Sequence, residues 1–581
     1  MTTSLRLLLT DYLSLMREEG ELDVFLPLLM ASMEHEIVFR PQKGTRQYGV
    51  DVSSIGVDTD GVQKMFIWLI KCGDIGRADW DSGPQSIRQS MNDIADVYLR
   101  SHLLPQHKKL PKKVLIVTNG DFQASLNETI AGFVETWSER SGASAELVNG
   151  LMLARWTEEK LLNEYVMPVE ERGLFRRMLA NVSTPELCIN AGGQLIDQLL
   201  RGASGPYKSK GAKEKAYRTA LRGIATSLLV LQVWSQSEGN LRASYRLSEY
   251  AVLAVWAKFH REIASEDQIV LPEAVSILRQ LSHVAEAYHH KLDGHYQVQN
   301  SFAYLFPDSA LSSRAVFEEI GRLGLQGYLW ARSAVVDNNE VAHLQAERFA
   351  DRLECLLDTH SCSELPQFDH HSSHIHIALT LLLSVNRGEA ARQWILRMCE
   401  RLEFAFFTKK YLPTRATFDD VLQIRFGYMD EEDEHLSATT LIPILLVWVA
   451  ALDVDGAYEF LRTELGQISS KTTPTFWSAE AGYDDVVADG DKLHHHGIGV
   501  TIPVPSESPK EFVEQMSKPL PNCIEIESLS WFKAGASLIP LLAALYWNTQ
   551  IPREFLVRQV LELSGAETQG IVPQEDAVSE S

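Results

Sequence analysis

Partway along this chain the spacing of its apolar residues changes period, and one core cannot serve both patterns. Up to about residue 168, short β-rich runs alternate with segments of helical spacing. Beyond about residue 210 the apolar residues recur almost everywhere at helical intervals. The sequence therefore predicts an α/β region at residues 1–168, with a mixed sheet flanked by helices, and a large all-α helical array, bundle or solenoid-like, at 211–565. Residues 169–210, with the tract GASGPYKSKG, read as a connector, and the polar, acidic residues 566–581 read as a disordered tail.

Within the first region the predicted order is helix, three strands, helix, strand, helix, strand, helix. Leu5–Met16 and Leu22–Met33 have helical spacing, and His35–Arg40 (HEIVFR) reads as a strand. After Pro84 a helix presents Ile87, Met91, Ile94, Ala95 and Tyr98 on one face. Lys113–Thr118 (KVLIVT) reads as a buried strand, and Ser125 with Glu128 as a capping box opening the next helix. Ala145–Val148 is a further strand, and Thr157 is placed to cap a last helix.

The chemistry concentrates in GVDVSSIGVDTDGVQKMFIWLIK, Gly49 to Lys71. Asp58, Thr59, Asp60 and Gly61 supply turn residues between two strands, so this is a hairpin with Asp51 opening one strand and Lys71 closing the other. Residues near the open ends of two antiparallel strands are neighbours, so an acid and a lysine can meet there. A carboxylate can hold a hard divalent cation and an ammonium can support charge developing on a phosphate. The residue two before the lysine is Leu69, an apolar side chain where such a site would place a second oxygen ligand.

These residues resemble the PD-(D/E)xK nuclease superfamily, and within it the Mrr-like restriction endonucleases, over about residues 15–165. The resemblance rests on Gly49-Val50-Asp51-Val52, on Leu69-Ile70-Lys71 in place of (D/E/Q)-x-K, on Val114 to Phe122 (VLIVTNGDF), and on Leu147 to Gly150 (LVNG) followed by Leu153. It implies a restriction-endonuclease-like fold and hydrolysis of DNA with Mg²⁺ or Mn²⁺. Asp51 would hold metal, Lys71 would orient water or stabilise charge, and Glu21 on the first helix would add a ligand. The alternative is a degenerate nuclease fold kept as a non-enzymatic DNA-binding or scaffold component. Gln85, Gln89 and Asp93 are the residues that could reach the place Leu69 leaves without an oxygen.

A net charge of -23 argues against a uniformly basic surface, so DNA contacts must be local. Lys108, Lys109, Lys112 and Lys113 form one basic cluster and are the candidate DNA contacts. A second runs from Lys208 to Arg222. The six cysteines lack a CxxC pair and the N-terminus lacks a basic-then-apolar leader, which predicts a cytoplasmic protein. The most apolar run, Leu441–Leu452, is shorter than the roughly 20 residues that cross a bilayer, so no membrane span is expected. His370, His371, His374, His376 and His494–His496 are dense in imidazoles but match no zinc motif, and they read as helix caps or core edges. No phosphate loop, GxSxG or HExxH is present. By architectural analogy the helical region reads as a module that senses a signal or protein partner and gates the first region, as in a prokaryotic defence nuclease.

Overall fold

The apolar run Met65–Ile70 becomes the middle of a five-stranded sheet. In the computed structural model the order is β1 (Glu36–Phe39), β2 (Val52–Val57), β3 (Gln63–Lys71), β4 (Lys112–Thr118) and β5 (Ser144–Val148). The structure describes residues 10–564 except 11–12, 15, 17–21, 40–47, 84–85, 105, 158–159, 161–170, 307, 337, 410–415, 429–436, 469–471 and 521–522. Glu21, Gln85, most of Leu5–Met16, the acidic run from Asp430 and the tail 566–581 lie outside the described residues.

β1, β2 and β3 are antiparallel, while β3, β4 and β5 are parallel. Parallel strands are covered on both faces, and β3 and β4 accordingly read as continuous apolar runs rather than alternating ones. Met65, Ile67 and Leu69 of β3 join one core with Ile87, Met91 and Ile94, the helical face predicted from spacing. Trp137 seals this core by donating its indole N–H to the Met91 carbonyl at 2.8 Å. On the opposite face Trp68 donates to the Ser54 hydroxyl at 3.0 Å, and His35 packs against Phe66 with ring centroids 4.6 Å apart.

Local starts and stops differ from the sequence reading. The helix at Ile87–Asp93 begins at Ser86, whose hydroxyl accepts the Gln89 N–H, and it runs on into a π-helical stretch, Ile94–His102. Ser125 and Glu128 make no capping box. A 3₁₀ turn, Ala124–Leu126, leads into the helix Asn127–Ser141 without a side-chain cap. Thr157 does not cap a helix start: Asn149 caps Gly150–Trp156 by accepting the Met152 N–H, Thr157 continues in helical conformation with its hydroxyl donating back to the Leu153 carbonyl, and most of the helix expected beyond it lies outside the described residues. An asparagine at the end of a strand outcompetes a threonine within the helical turn.

The chain divides into two units, Met1–Arg176 and Arg177–Ser581. The stretch read as a connector holds two helices, Arg172–Ala180 and Pro185–Gly202, and the second buries Leu195, Ile196 and Leu199 in the helical unit. Helices follow at Lys210–Ser237, Arg242–Ala264, Val270–Gln297, Ser309–Val336, Glu340–Thr359, His371–Ser384 and Gly388–Lys409, each containing a segment expected from its spacing. The unit is not all-α. β6 (Ala438–Thr439), β7 (Thr473–Ala479) and β8 (Gly497–Thr501) form a small sheet, parallel then antiparallel. Aromatic and β-branched residues in TPTFWSA favour that extended state. Among the described residues no helix is long and apolar enough to cross a membrane.

The tripeptide Leu-Ile-Pro opens two helices of the unit, Leu441–Ala451 and Leu538–Trp547. Each carries its proline, Pro443 or Pro540, in the first turn, where a missing N–H costs nothing. The first start is held by a buried carboxylate. Asp369 accepts hydrogen bonds from the Thr439 and Thr440 hydroxyls and from the backbone N–H groups of Thr440 and Leu441. Replacing Asp369 with alanine orphans these donors and is expected to cost about 3–5 kcal/mol. Faster amide exchange across Leu441–Ala451 and a lower unfolding midpoint of the full chain would register that loss; wild-type exchange would refute it.

Candidate functional site

The carboxyl-terminal edge of β3, β4 and β5 gathers the polar residues of the first unit, the edge at which open α/β sheets ordinarily bind ligands. Asp51 reaches it because Gly49 lets the preceding chain pass close to the helix Ile87–Asp93. Gly49 has φ +78°, and a Cβ there would lie 2.3 Å from the Ser90 carbonyl oxygen. Val52 pairs with Trp68, and the Asp51 N–H just before β2 is also directed at the Trp68 carbonyl, so the regular register stops at Val52. Asp51 and Lys71 therefore lie at the same end of the paired strands, both partly buried.

The Asp51 carboxylate turns into the plane of the sheet. Its backbone N–H donates to the Trp68 carbonyl at 3.0 Å, and its Oδ2 accepts the Ile70 N–H at 2.7 Å. The side chain thereby supplies the acceptor that a further β2 residue would have offered. Leu69, 1% exposed, is packed into the core with Met65 and Ile67. Gln89 donates to Asp93 at 2.8 Å, so these two rivals for the missing ligand are engaged with each other.

Sequence reasoning missed the clasp that shapes this edge. Asn119, 1% exposed, donates through Nδ2 to the Leu13 and Met16 carbonyls, each at 2.7 Å, and accepts the Gly73 N–H at 2.7 Å. Cys72 also points at the Met16 carbonyl, with Sγ 3.0 Å away. Asp74 accepts the Asp121 N–H at 2.9 Å, and Asn149 donates to the Asp121 carboxylate at 2.9 Å. Gly150 closes the edge, because a Cβ there would lie 2.3 Å from the Asn119 carbonyl oxygen. The available signal was the TNGD tetrapeptide directly after a buried strand, which read only as a turn.

The candidate DNA-contacting lysines lie elsewhere. Lys112 pairs with Met65 and Thr118 with Lys71, so the basic loop and the Asp51–Lys71 edge are separated by six residues of strand, roughly 20 Å. Lys108 and Lys109 are exposed, whereas Lys112 donates to the Lys108 carbonyl. Lys113 is neutralised, with its ammonium 2.6 Å from Glu146 and 3.1 Å from Asp58. Asp58 also binds Lys64 at 2.6 Å. Burial alone would raise the Asp58 pKa, but hydrogen bonds from Lys64, the Thr59 backbone and Lys113 outweigh it and hold the carboxyl down at about 2.

A magnesium ion accepts one or two protein carboxylates completed by water and substrate phosphate. Asp51 fits as one such ligand and Lys71 as the accompanying cation, while Leu69 supplies nothing. Among the described residues no group of three His, Cys, Asp or Glu is arranged to hold a metal. In the helical unit His371, His374 and His376 pack in the core, whereas His494 and His495 are exposed. His371 stacks on Phe317 at 4.0 Å, and His376 lies 2.9 Å from Gln559 and accepts the Trp448 indole N–H.

No family model matches the chain, and no curated protein matches it. Among solved structures, a circular tandem repeat protein with novel repeat topology and enhanced subunit contact surfaces aligns at 12% identity. That alignment covers 83% of this chain and 91% of the other, but a TM-score of 0.26 gives it no weight for the fold.

Two outcomes follow from the geometry of this unit. Asn119→Ala leaves two carbonyls and one N–H without their partner and is expected to cost about 2–4 kcal/mol, read as a lower first transition in calorimetry. The low Asp58 pKa stabilises the fold fully above the carboxyl's ordinary 3.8, and this contribution fades as pH falls towards 2. The stability gap between wild type and Asp58→Asn should therefore shrink between those pH values; a gap independent of pH would contradict the ion-pair assignment.

Proposed function

We propose that the chain is a metal-dependent DNA endonuclease of the PD-(D/E)xK type, gated by its helical unit as in a prokaryotic defence effector. The single observation that supports this reading is that Asp51 and Lys71 lie at the same end of two paired strands, with the Asp51 carboxylate on the Ile70 N–H next to Lys71. When bound, a divalent cation polarises the scissile phosphate and lowers the pKa of a water. Asp51 offers that cation an oxygen ligand, and Glu21 is the further carboxylate assigned to it. Lys71, closing the neighbouring strand one residue beyond Ile70, would support negative charge on the phosphate oxygens. Lys108 and Lys109, about 20 Å away along the strand, would touch the backbone some six base pairs from the cleaved bond.

A second reading, a nuclease-type fold kept for binding or scaffolding, is favoured by one contact: the Asp51 carboxylate is already engaged by the Ile70 N–H beside a core leucine. The two readings separate on supercoiled and linear DNA incubated with the full chain in Mg²⁺ or Mn²⁺. The endonuclease reading expects nicking or linearisation that Asp51→Ala abolishes, that Lys71→Ala slows about a hundredfold or more, and that Glu21→Gln weakens. Cleavage indifferent to both Asp51→Ala and Lys71→Ala would overturn the site. No cleavage with either metal, together with retained retardation of DNA in a gel, would leave the binding reading standing instead.

A further inference from the structure

In a chain of net charge -23, four arginines converge on one small cavity of the helical unit. Arg242 and Arg246 come from the helix Arg242–Ala264, Arg314 and Arg322 from Ser309–Val336, and the rest of the wall includes Glu249, Glu318, His374 and Tyr546. Its volume is about 70 Å³, room for several waters and therefore for one tetrahedral oxyanion.

Three of the guanidiniums are fixed by the fold. Arg246 donates to Glu249 at 2.8 Å and to the Tyr546 carbonyl at 3.0 Å, and its plane lies 3.8 Å from the centre of the Tyr546 ring. Arg314 donates to Glu318 at 3.0 Å. Arg322, only 8% exposed, donates to Glu319 at 3.0 Å with Glu318 and Glu249 at 3.5 and 3.8 Å. The Arg242 guanidinium makes no hydrogen bond or ion pair among the described residues. Its charge nevertheless reaches Glu318, whose carboxyl burial would push up but Arg322, Arg314, Arg246 and Arg242 together hold at about 2. Glu319 is pushed the other way by burial and is shared with the Tyr288 and Tyr296 hydroxyls. The cavity therefore keeps an excess of positive charge, with three of its four guanidiniums held in place by carboxylates.

The same cavity also presents acceptors. His374 is 2% exposed, and its Nδ1 lies 3.1 Å from the His370 carbonyl, which can only accept, so Nδ1 carries the proton of the neutral ring. Burial lowers the pKa of this imidazole to about 4, keeping it neutral near pH 7. Its Nε2 is then a lone pair with no hydrogen-bond partner among the described residues, in a cavity that Glu249 and Glu318 also line. A carboxylate or sulfate ion has oxygens for the arginines but no hydrogen for these acceptors. A phosphate that retains a P–OH has both.

We propose that this cavity is a binding site for a protonated phosphoryl oxyanion, either free phosphate or the terminal group of a phosphate monoester. Arg242 and Arg246 receive its oxygens, and His374 Nε2 with the Glu318 carboxylate receives its hydroxyl. The site lies wholly within the helical unit and does not rest on the nuclease reading, so failure of DNA cleavage leaves it untouched.

The experiment is calorimetric titration of the full chain with inorganic phosphate at fixed ionic strength, beside sulfate, and beside AMP near pH 6, where a monoester keeps part of its P–OH. Saturable phosphate binding is expected, with sulfate at least about tenfold weaker for want of one hydrogen bond to a charged or buried acceptor. Arg242→Ala, at an exposed position and so with wild-type melting temperature, is expected to weaken phosphate by about tenfold or more. AMP competing with phosphate assigns the site to monoesters, and AMP without effect assigns it to the free ion; either supports the proposal. Equal affinity for sulfate and phosphate, affinity unchanged in Arg242→Ala, or no saturable heat at all would overturn it.

Discussion

Strand β3 is hydrogen-bonded along both edges and covered on both faces, and the rest of the first unit is arranged around that double burial. Its antiparallel contact with β2 brings Asp51 back beside its end, and its parallel contact with β4 brings the Thr118–Asp121 turn to the same end. The strand is apolar from Met65 to Ile70 because water reaches neither face. Leu69 belongs to that requirement. Burying such a side chain is worth about 2 kcal/mol, and Leu69 contributes that to the core.

The helical unit solves a different problem, since it carries ionic groups inside. The Glu319 carboxylate, the Arg322 guanidinium and the hydroxyls of Tyr288 and Tyr296 are buried together, and each is satisfied by another. Removing one partner from such a network leaves a charge or dipole unpaired in a poor solvent, which is far more costly than never having built it. Asp369 at the start of Leu441–Ala451 follows the same rule with backbone donors. Buried pairs of this kind lock side chains in one geometry, and it is this locking that holds several guanidiniums around a single small space.

Much of the first unit could be read from residue spacing. The face Ile87, Met91, Ile94, Ala95 and Tyr98 is buried as its intervals required, even though the helix loosens to π geometry after Asp93. The hairpin turn at Asp58–Gly61 and the buried strand at Lys113–Thr118 also form where their composition demanded. Caps were less legible. Ser125 and Thr157 have capping chemistry, but whether a hydroxyl meets an orphan N–H depends on where the previous strand delivers the chain. Lys113 looked like a free cation because the partners that neutralise it, Asp58 and Glu146, are distant in sequence.

By itself the sequence determined the two-part division, the mixed α/β order of the first part, and the hairpin that puts Asp51 and Lys71 at one end of two paired strands, because periodicity and turn chemistry act over a few neighbours. Only the tertiary structure decided what each polar side chain does. It turned Asp51 onto the Ile70 N–H, made Asn119 a clasp for three segments, buried His371, His374 and His376, and drew together arginines from helices that are about seventy residues apart. The physical reason is common to all four. A polar group taken out of water must find a partner, and which partner lies within 3 Å is a property of the packed chain, not of the residue's neighbours in sequence.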